Sequence, residues 1–283
     1  MSKVAIVTDS TAYLPPEIVE KYQITVIPQV LIWGEETLLD GIDIQPTEFY
    51  ERLKTADVMP TTSQATVLTF KELFERLLGD GKEILCVLLS DKLSGTINSY
   101  TQAIEYFPDA KIDIVNTESV AMALGFCALE AARLAQTGTS LEECKAAAES
   151  AKERVGVVFA VDTLEFLHRG GRIGGASRFL GTALQLKPIL TVLDGRVEAI
   201  ERVRTKRKAH NRLLELIEER TAGSTSIKLA TLHASAYDDA KALLDEAVER
   251  LGNVDESIFS ELSPVVGTHA GPGTVGLAYM VTK

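Results

Sequence analysis

Val4-Ala5-Ile6-Val7-Thr8-Asp9-Ser10-Thr11 is an apolar run that ends in a hydroxyl-rich loop and opens at once into an amphipathic segment. The device recurs at 84–89, which runs into Ser90-Asp91-Lys92-Leu93-Ser94-Gly95-Thr96, and at 112–115, which runs into Asn116-Thr117-Glu118-Ser119. Strand-like and helix-like segments in alternation build a parallel sheet, and in an open parallel sheet such loops collect at the carboxyl edge, where ligands bind. Helices that start there offer unpaired backbone N–H groups and a partial positive charge. The pattern predicts a site for something negatively charged.

Outward from these loops, strands are expected at 4–7, 24–33, 84–89, 112–115 and 155–161, with helices after Pro15, Pro46, Ser63, Ser94, Ser119 and Ser140. Val67, Phe70, Phe74 and Leu77 recur at helical spacing and form one apolar face. Ser140-Leu141-Glu142-Glu143 has the spacing of a capping box. Beyond about residue 161 the pattern changes. Residues 189–193 and 197–203 flank Asp194-Gly195, a pair suited to a tight hairpin turn. Strands at 227–232 and 258–262 enclose a helical run at 237–251, and a last strand at 275–281 could join either sheet. The expected fold is α/β with two domains: an N-terminal parallel-sheet α/β domain at 1–160 and a C-terminal α+β domain with a mixed sheet at 161–283.

Composition narrows the function. Lys plus Arg number 29 against 40 Asp plus Glu, a net charge of −11 over 283 residues, which disfavours nucleic acid and anionic membrane surfaces as partners. Cys86, Cys127 and Cys144 sit in apolar or helical stretches without metal-ligand spacing and read as reduced packing residues of a cytoplasmic protein. The apolar run at 120–129 stops at Glu130, well short of a membrane span.

Five stretches carry candidate chemistry. Thr61-Thr62-Ser63-Gln64 reads as a helix start capped by Ser63, which leaves Thr62 unexplained. Ser94-Gly95-Thr96 follows a strand apolar on both faces, with Gly95 allowing a ligand oxygen close to the backbone. His168-Arg169-Gly170-Gly171-Arg172-Ile173-Gly174-Gly175 spends four glycines, more than a plain connector needs. Six cations fall between Arg202 and Arg212, Arg204 among them, where the macrodipole of a starting helix does not favour them. His269-Ala270-Gly271-Pro272-Gly273-Thr274-Val275-Gly276 matches a dinucleotide glycine pattern in letters only, because the chain ends before the acidic residue the motif requires. The four histidines lack metal-ligand spacing, so neither a metal nor another cofactor is implied.

Taken together, Val7-Thr8-Asp9-Ser10-Thr11, Thr62-Ser63-Gln64, Leu93-Ser94-Gly95-Thr96, the His168 stretch and His269-Ala270-Gly271-Pro272-Gly273 resemble the DegV family, in family order and across nearly the whole chain. The resemblance implies a bacterial fatty-acid-binding protein of two domains with one long-chain fatty acid buried between them, some members serving as the acyl-carrier subunit of fatty acid kinase. It places the carboxylate contacts on Thr62 and Ser94, with Gly95 alongside and His269 near the head group. Arg169, Arg172 and Arg204 fall on arginines near the mouth, where the kinase catalytic subunit or an acyl phosphate would make contact. Two residues depart from the family pattern: Ala65, where proline is frequent, and Tyr13, where aspartate is common.

The physics suits such a ligand. Burying a sixteen-carbon tail at ~0.8 kcal/mol per methylene supplies on the order of 10 kcal/mol before association costs. The carboxylate opposes burial unless hydrogen bonds compensate it, and Thr62, Ser94, helix-start N–H groups and a protonated His269 are the candidates to do so. The alternative reading is a serine-dependent acyl hydrolase with Ser94 as nucleophile and His269 as base. Against it, Ser94 lacks a G-x-S-x-G elbow and no carboxylate stands out to orient the histidine.

Overall fold

The computed structural model describes residues 3–181 and 186–282. In chain order the strands are β1 Val4–Asp9, β2 Thr25–Ile27, β3 Val30–Trp33, β4 Glu36–Leu39, β5 Thr61–Ser63, β6 Glu83–Leu88, β7 Ile112–Asn116, β8 Val155–Ala160, β9 Lys187–Leu193, β10 Arg196–Val203, β11 Ser226–His233, β12 Val254–Ile258 and β13 Val275–Thr282. The helices are α1 Pro16–Tyr22, α2 Pro46–Leu53, α3 Val67–Gly79, α4 Thr96–Ile104, α5 Ala121–Ala135, α6 Leu141–Lys152, α7 Glu165–Arg169, α8 Lys206–Thr221, α9 Tyr237–Leu251 and α10 Pro264–Ala270.

The first sheet is parallel, in the order β2-β1-β6-β7. The chain leaves β1 to one side for β2 and returns to its other side for β6. The order therefore reverses at β1, and the loops after β1 and β6 flank the crevice where such sheets take ligands. All of β6 is buried, which explains why it reads as apolar on both faces. The second sheet is mixed, in the order β10-β9-β8-β13-β11-β12, with only β11 and β12 parallel. Strand β8, which follows the alternation of the first half, pairs with β9 and β13 and so belongs to this second sheet. The last strand, β13, also lies there.

Helix α5 sits between the two sheets, touching β1 and β6 on one side and β8, β11 and β13 on the other. Six of its residues are alanine, and nearly all of its apolar residues are buried, as a helix hydrophobic on every side requires. The expected hairpin forms as β9 and β10, with Asp194 at φ 48° and Gly195 at φ 76° in the turn. The capping box at Ser140 forms in both directions.

Three expectations shift. The strand expected at 24–33 divides at Pro28-Gln29, where the chain leaves the parallel sheet after β2 and begins the antiparallel sheet β4-β3-β5 with β3. The helix expected after Ser63 starts at Val67 with Thr66 as its cap, because residues 61–63 pair with β3 instead. The strand expected at 258–262 ends at Ile258, and the chain beyond it is tied down by Ser260 N donating to Thr231 Oγ1 and Leu262 N donating to His233 O.

Candidate functional site

A cavity of about 850 Å³, counting the open space at its mouth, lies between the sheets. Its wall is mostly apolar. Leu89 and Leu93 come from the loop after β6, Val157 and Phe159 from β8, and Val192 and Val197 from the hairpin. Val120 and Ala121 place the start of α5, which has no side-chain cap, at the same wall. Nine polar residues also line it: Thr11, Gln29, Thr62, Ser63, Gln64, Ser94, Arg172, His269 and Thr274.

Thr62 is carried by β5 and His269 by the last turn of α10, and Thr62 Oγ1 lies 2.7 Å from His269 Nε2. Burial, with a smaller contribution from the Arg172 charge, pushes the imidazole down to about 4, so it is neutral at pH 7. The protonated His269 expected from sequence is therefore corrected: a cation there would be desolvated beside an arginine. The Nδ1 atom is buried without a partner. A bare lone pair is cheaper to bury than an orphaned N–H, which favours the tautomer with its proton on Nε2, donated to Thr62. Thr62 can then turn its own proton toward the cavity. Gly170 makes room for this ring, since a Cβ there would stand 2.0 Å from Nδ1.

The second polar limb starts at Ser94, whose Oγ lies 2.9 Å from Thr96 Oγ1 and accepts from Thr96 N at 3.3 Å. Gln29 Nε2 donates to Thr96 Oγ1 at 3.0 Å, and Gln29 Oε1 accepts from Ala65 N at 3.0 Å. This last bond uses the N–H that a proline at position 65 would lack. Gly95 is the cap residue of α4 and lies outside the cavity wall; a Cβ on it would stand 3.1 Å from the Gln64 amide. Behind the limb, Ser10 Oγ accepts from Gln29 N at 3.1 Å and donates to Asp40 Oδ2 at 2.6 Å. Asp40 also accepts from Ser263 Oγ at 2.5 Å, just before α10. One buried carboxylate thus ties the Ser94 limb to the helix that carries His269.

The arginines separate. Arg172 lines the cavity, its Nε donating to Leu93 O at 3.0 Å and a terminal nitrogen to Gly170 O at 2.7 Å, so a full positive charge stands at its wall. Arg169 is exposed and paired with Glu165 at 2.5 Å, and Arg204 is exposed in the connection between β10 and α8; neither lines the cavity. Within the basic run, Arg212 pairs with Glu201, Glu215 and Glu219, and Lys206 with Asp239. The glycine pattern near His269 lies between α10 and β13, a helix before a strand, the reverse of the dinucleotide motif. Ser94 and His269 line one cavity, yet each bonds a threonine, and no carboxylate bonds the His269 ring among the described residues. Gln29 was not legible as a site residue, because a glutamine after proline reads as ordinary loop, whereas Thr11 falls in the hydroxyl-rich loop that the sequence placed at the ligand edge.

Compared with known proteins, the chain matches the profile of the DegV family of uncharacterised proteins over residues 3–282. It is 38% identical to a DegV domain-containing protein of Halalkalibacterium halodurans, with 100% of each chain covered. Among solved structures, a DegV family protein from Thermus thermophilus described for its fatty acid binding superposes with a TM-score of 0.93 at 35% identity, covering 99% of this chain and 100% of that one. DegV of Bacillus subtilis, described as a fatty acid binding protein, gives a TM-score of 0.89 at 33% identity over 100% of both chains. With the family profile matched over 3–282 and a full-length relative at 38% identity, the chain belongs to the DegV family.

Proposed function

We propose that the protein binds one long-chain fatty acid between its two sheets and presents the carboxylate to the catalytic subunit of a fatty acid kinase. The observation that carries the binding half is a mostly apolar cavity that the Thr62, Ser94 and Arg172 side chains also line. The tail would supply affinity by leaving water. Charge-assisted hydrogen bonds from the two hydroxyls, and the nearby arginine charge, would offset the cost of burying the carboxylate. In this reading the polypeptide is a non-catalytic cytoplasmic carrier. Arg169 and Arg204, both exposed, are its partner contacts, while Arg172 serves the head group itself. The described relatives that bind fatty acid support the first half, and the absence of a nucleotide motif from the sequence is compatible with a separate ATP-using partner.

Organic extraction of protein purified from a bacterial host, followed by mass spectrometry, should recover a long-chain acid at about one per chain. Protein that carries none and takes up none after delipidation contradicts the binding half. Pull-down of a kinase subunit should weaken on Arg169→Ala or Arg204→Ala, and undiminished capture by both variants contradicts the assigned contacts. A serine hydrolase would instead be labelled by a fluorophosphonate, with the label lost on Ser94→Ala.

A further inference from the structure

Gln29 occupies the bend between β2 and β3, is 2% exposed, and borders the cavity. Thr96 Oγ1 lies 3.0 Å from its Nε2, 3.1 Å from its Oε1 and 2.9 Å from Ser94 Oγ. The Thr96 hydroxyl has one proton, so it donates either back to Gln29 or on to Ser94. In the first arrangement Ser94 spends its own proton on Thr96 and offers the cavity only lone pairs. In the second, Thr96 donates to Ser94, and the Ser94 proton is released toward the cavity. Two bonds bias the choice. Ala65 N donates to Gln29 Oε1 at 3.0 Å, which stops the amide from flipping and holds Nε2 on Thr96. Ser10 Oγ accepts from Gln29 N at 3.1 Å, which fixes the backbone that carries the amide.

The geometry points to Gln29 as a positioning residue that sets head-group specificity: its anchored amide begins a one-way chain of donors, Gln29 Nε2–H to Thr96 to Ser94, whose free end selects an acceptor-only anionic head over an uncharged one. This rests on the fatty-acid reading above and adds a residue that acts through Ser94. Hydrogen bonds in a chain polarise one another in a low-dielectric site, and bonds to an ionised acceptor are roughly twice as strong as neutral ones. A carboxylate, which only accepts, gains the full effect of the chain. An alcohol can donate to Ser94 as readily as accept from it and gains little.

The test compares dodecanoate with 1-dodecanol as competitors for a fluorescent fatty-acid probe on delipidated protein. Gln29→Met and Thr96→Val should each weaken the acid at least about tenfold and the alcohol less than about threefold. Thr96→Ser, which keeps the hydroxyl, should restore the native acid-to-alcohol ratio. Should Gln29→Met fail to fold, Thr96→Val leaves the Ala65 bond to Gln29 in place and carries the comparison. An unchanged ratio in the variants, including equal weakening of both ligands, overturns the role of Gln29 alone. Native protein that takes up neither ligand overturns the fatty-acid reading, and the specificity argument with it.

Discussion

His269 shows how one residue's surroundings set its chemistry. A histidine beside glycines suggests a cation for an anionic ligand, but desolvation keeps this ring neutral and gives the charge to Arg172. Its position depends on Gly170, where a Cβ would stand 2.0 Å from Nδ1. Gly170→Ala, at a backbone conformation any residue adopts, should displace the ring, weaken fatty-acid binding about tenfold or more, and cost roughly 1–3 kcal/mol of stability from overpacking. Native affinity in this variant, read by probe displacement, would show that the ring does not order the head site. Asp40 makes a pH-dependent counterpart. Burial raises its carboxyl from 3.8 to about 6 against the lowering pull of the Ser10 and Ser263 hydroxyls. The folded state therefore holds the proton more tightly than the unfolded chain, so this group's stabilising contribution is present at low pH and is lost as pH rises from about 4 through 6, by about 3 kcal/mol. Asp40→Asn cannot ionise, and its stability relative to the native protein should increase by about that amount from pH 4 to 7.5 in denaturant unfolding. A difference that does not vary with pH would contradict the assignment.

At the scale of elements, the loops that follow β1, β6 and β7 were legible because each is announced by an apolar run and followed by a helix, two periodicities that sequence displays directly. Thr62 lines the cavity, but from a strand and not from the helix start read in the sequence. A strand of three hydroxyl-bearing residues, Thr61–Ser63, has no period of its own and exists because β3 offers it a ladder. The cavity-lining residues of β8 could not be chosen from sequence, because Val157 and Phe159 alternate along the strand just as core residues would. The hairpin was legible through Asp194-Gly195, but its docking was not. Ser90 Oγ donates to Gly195 O at 2.8 Å and Lys92 Nζ to Asp194 O at 2.7 Å, so the turn clasps the loop that presents Ser94. Gly195→Ala combines φ 76° with a Cβ 2.5 Å from Ser90 Oγ. It should cost about 1–3 kcal/mol in thermal or denaturant unfolding. A variant as stable as the native chain would mean that the clasp contributes nothing.

Across the whole molecule, the two larger sheets meet through α5 and the hairpin turn, with the Asp40 cluster beside them, around a mostly apolar cavity that Thr62, Ser94, Arg172 and His269 also line. No helix among the described residues is long and apolar enough to cross a membrane. Residues far apart in sequence are brought to one wall, Thr62 beside His269 and Ser94 near Arg172, which is why family order along the chain carried more information about the site than any single motif. The most direct test is a crystal structure of the protein bound to a long-chain fatty acid. The account predicts a carboxylate within about 3 Å of both the Thr62 and Ser94 hydroxyls, with the tail running over the sheet face that β8 and the hairpin share. An acid bound elsewhere, or one whose carboxylate points away from both hydroxyls, would contradict it.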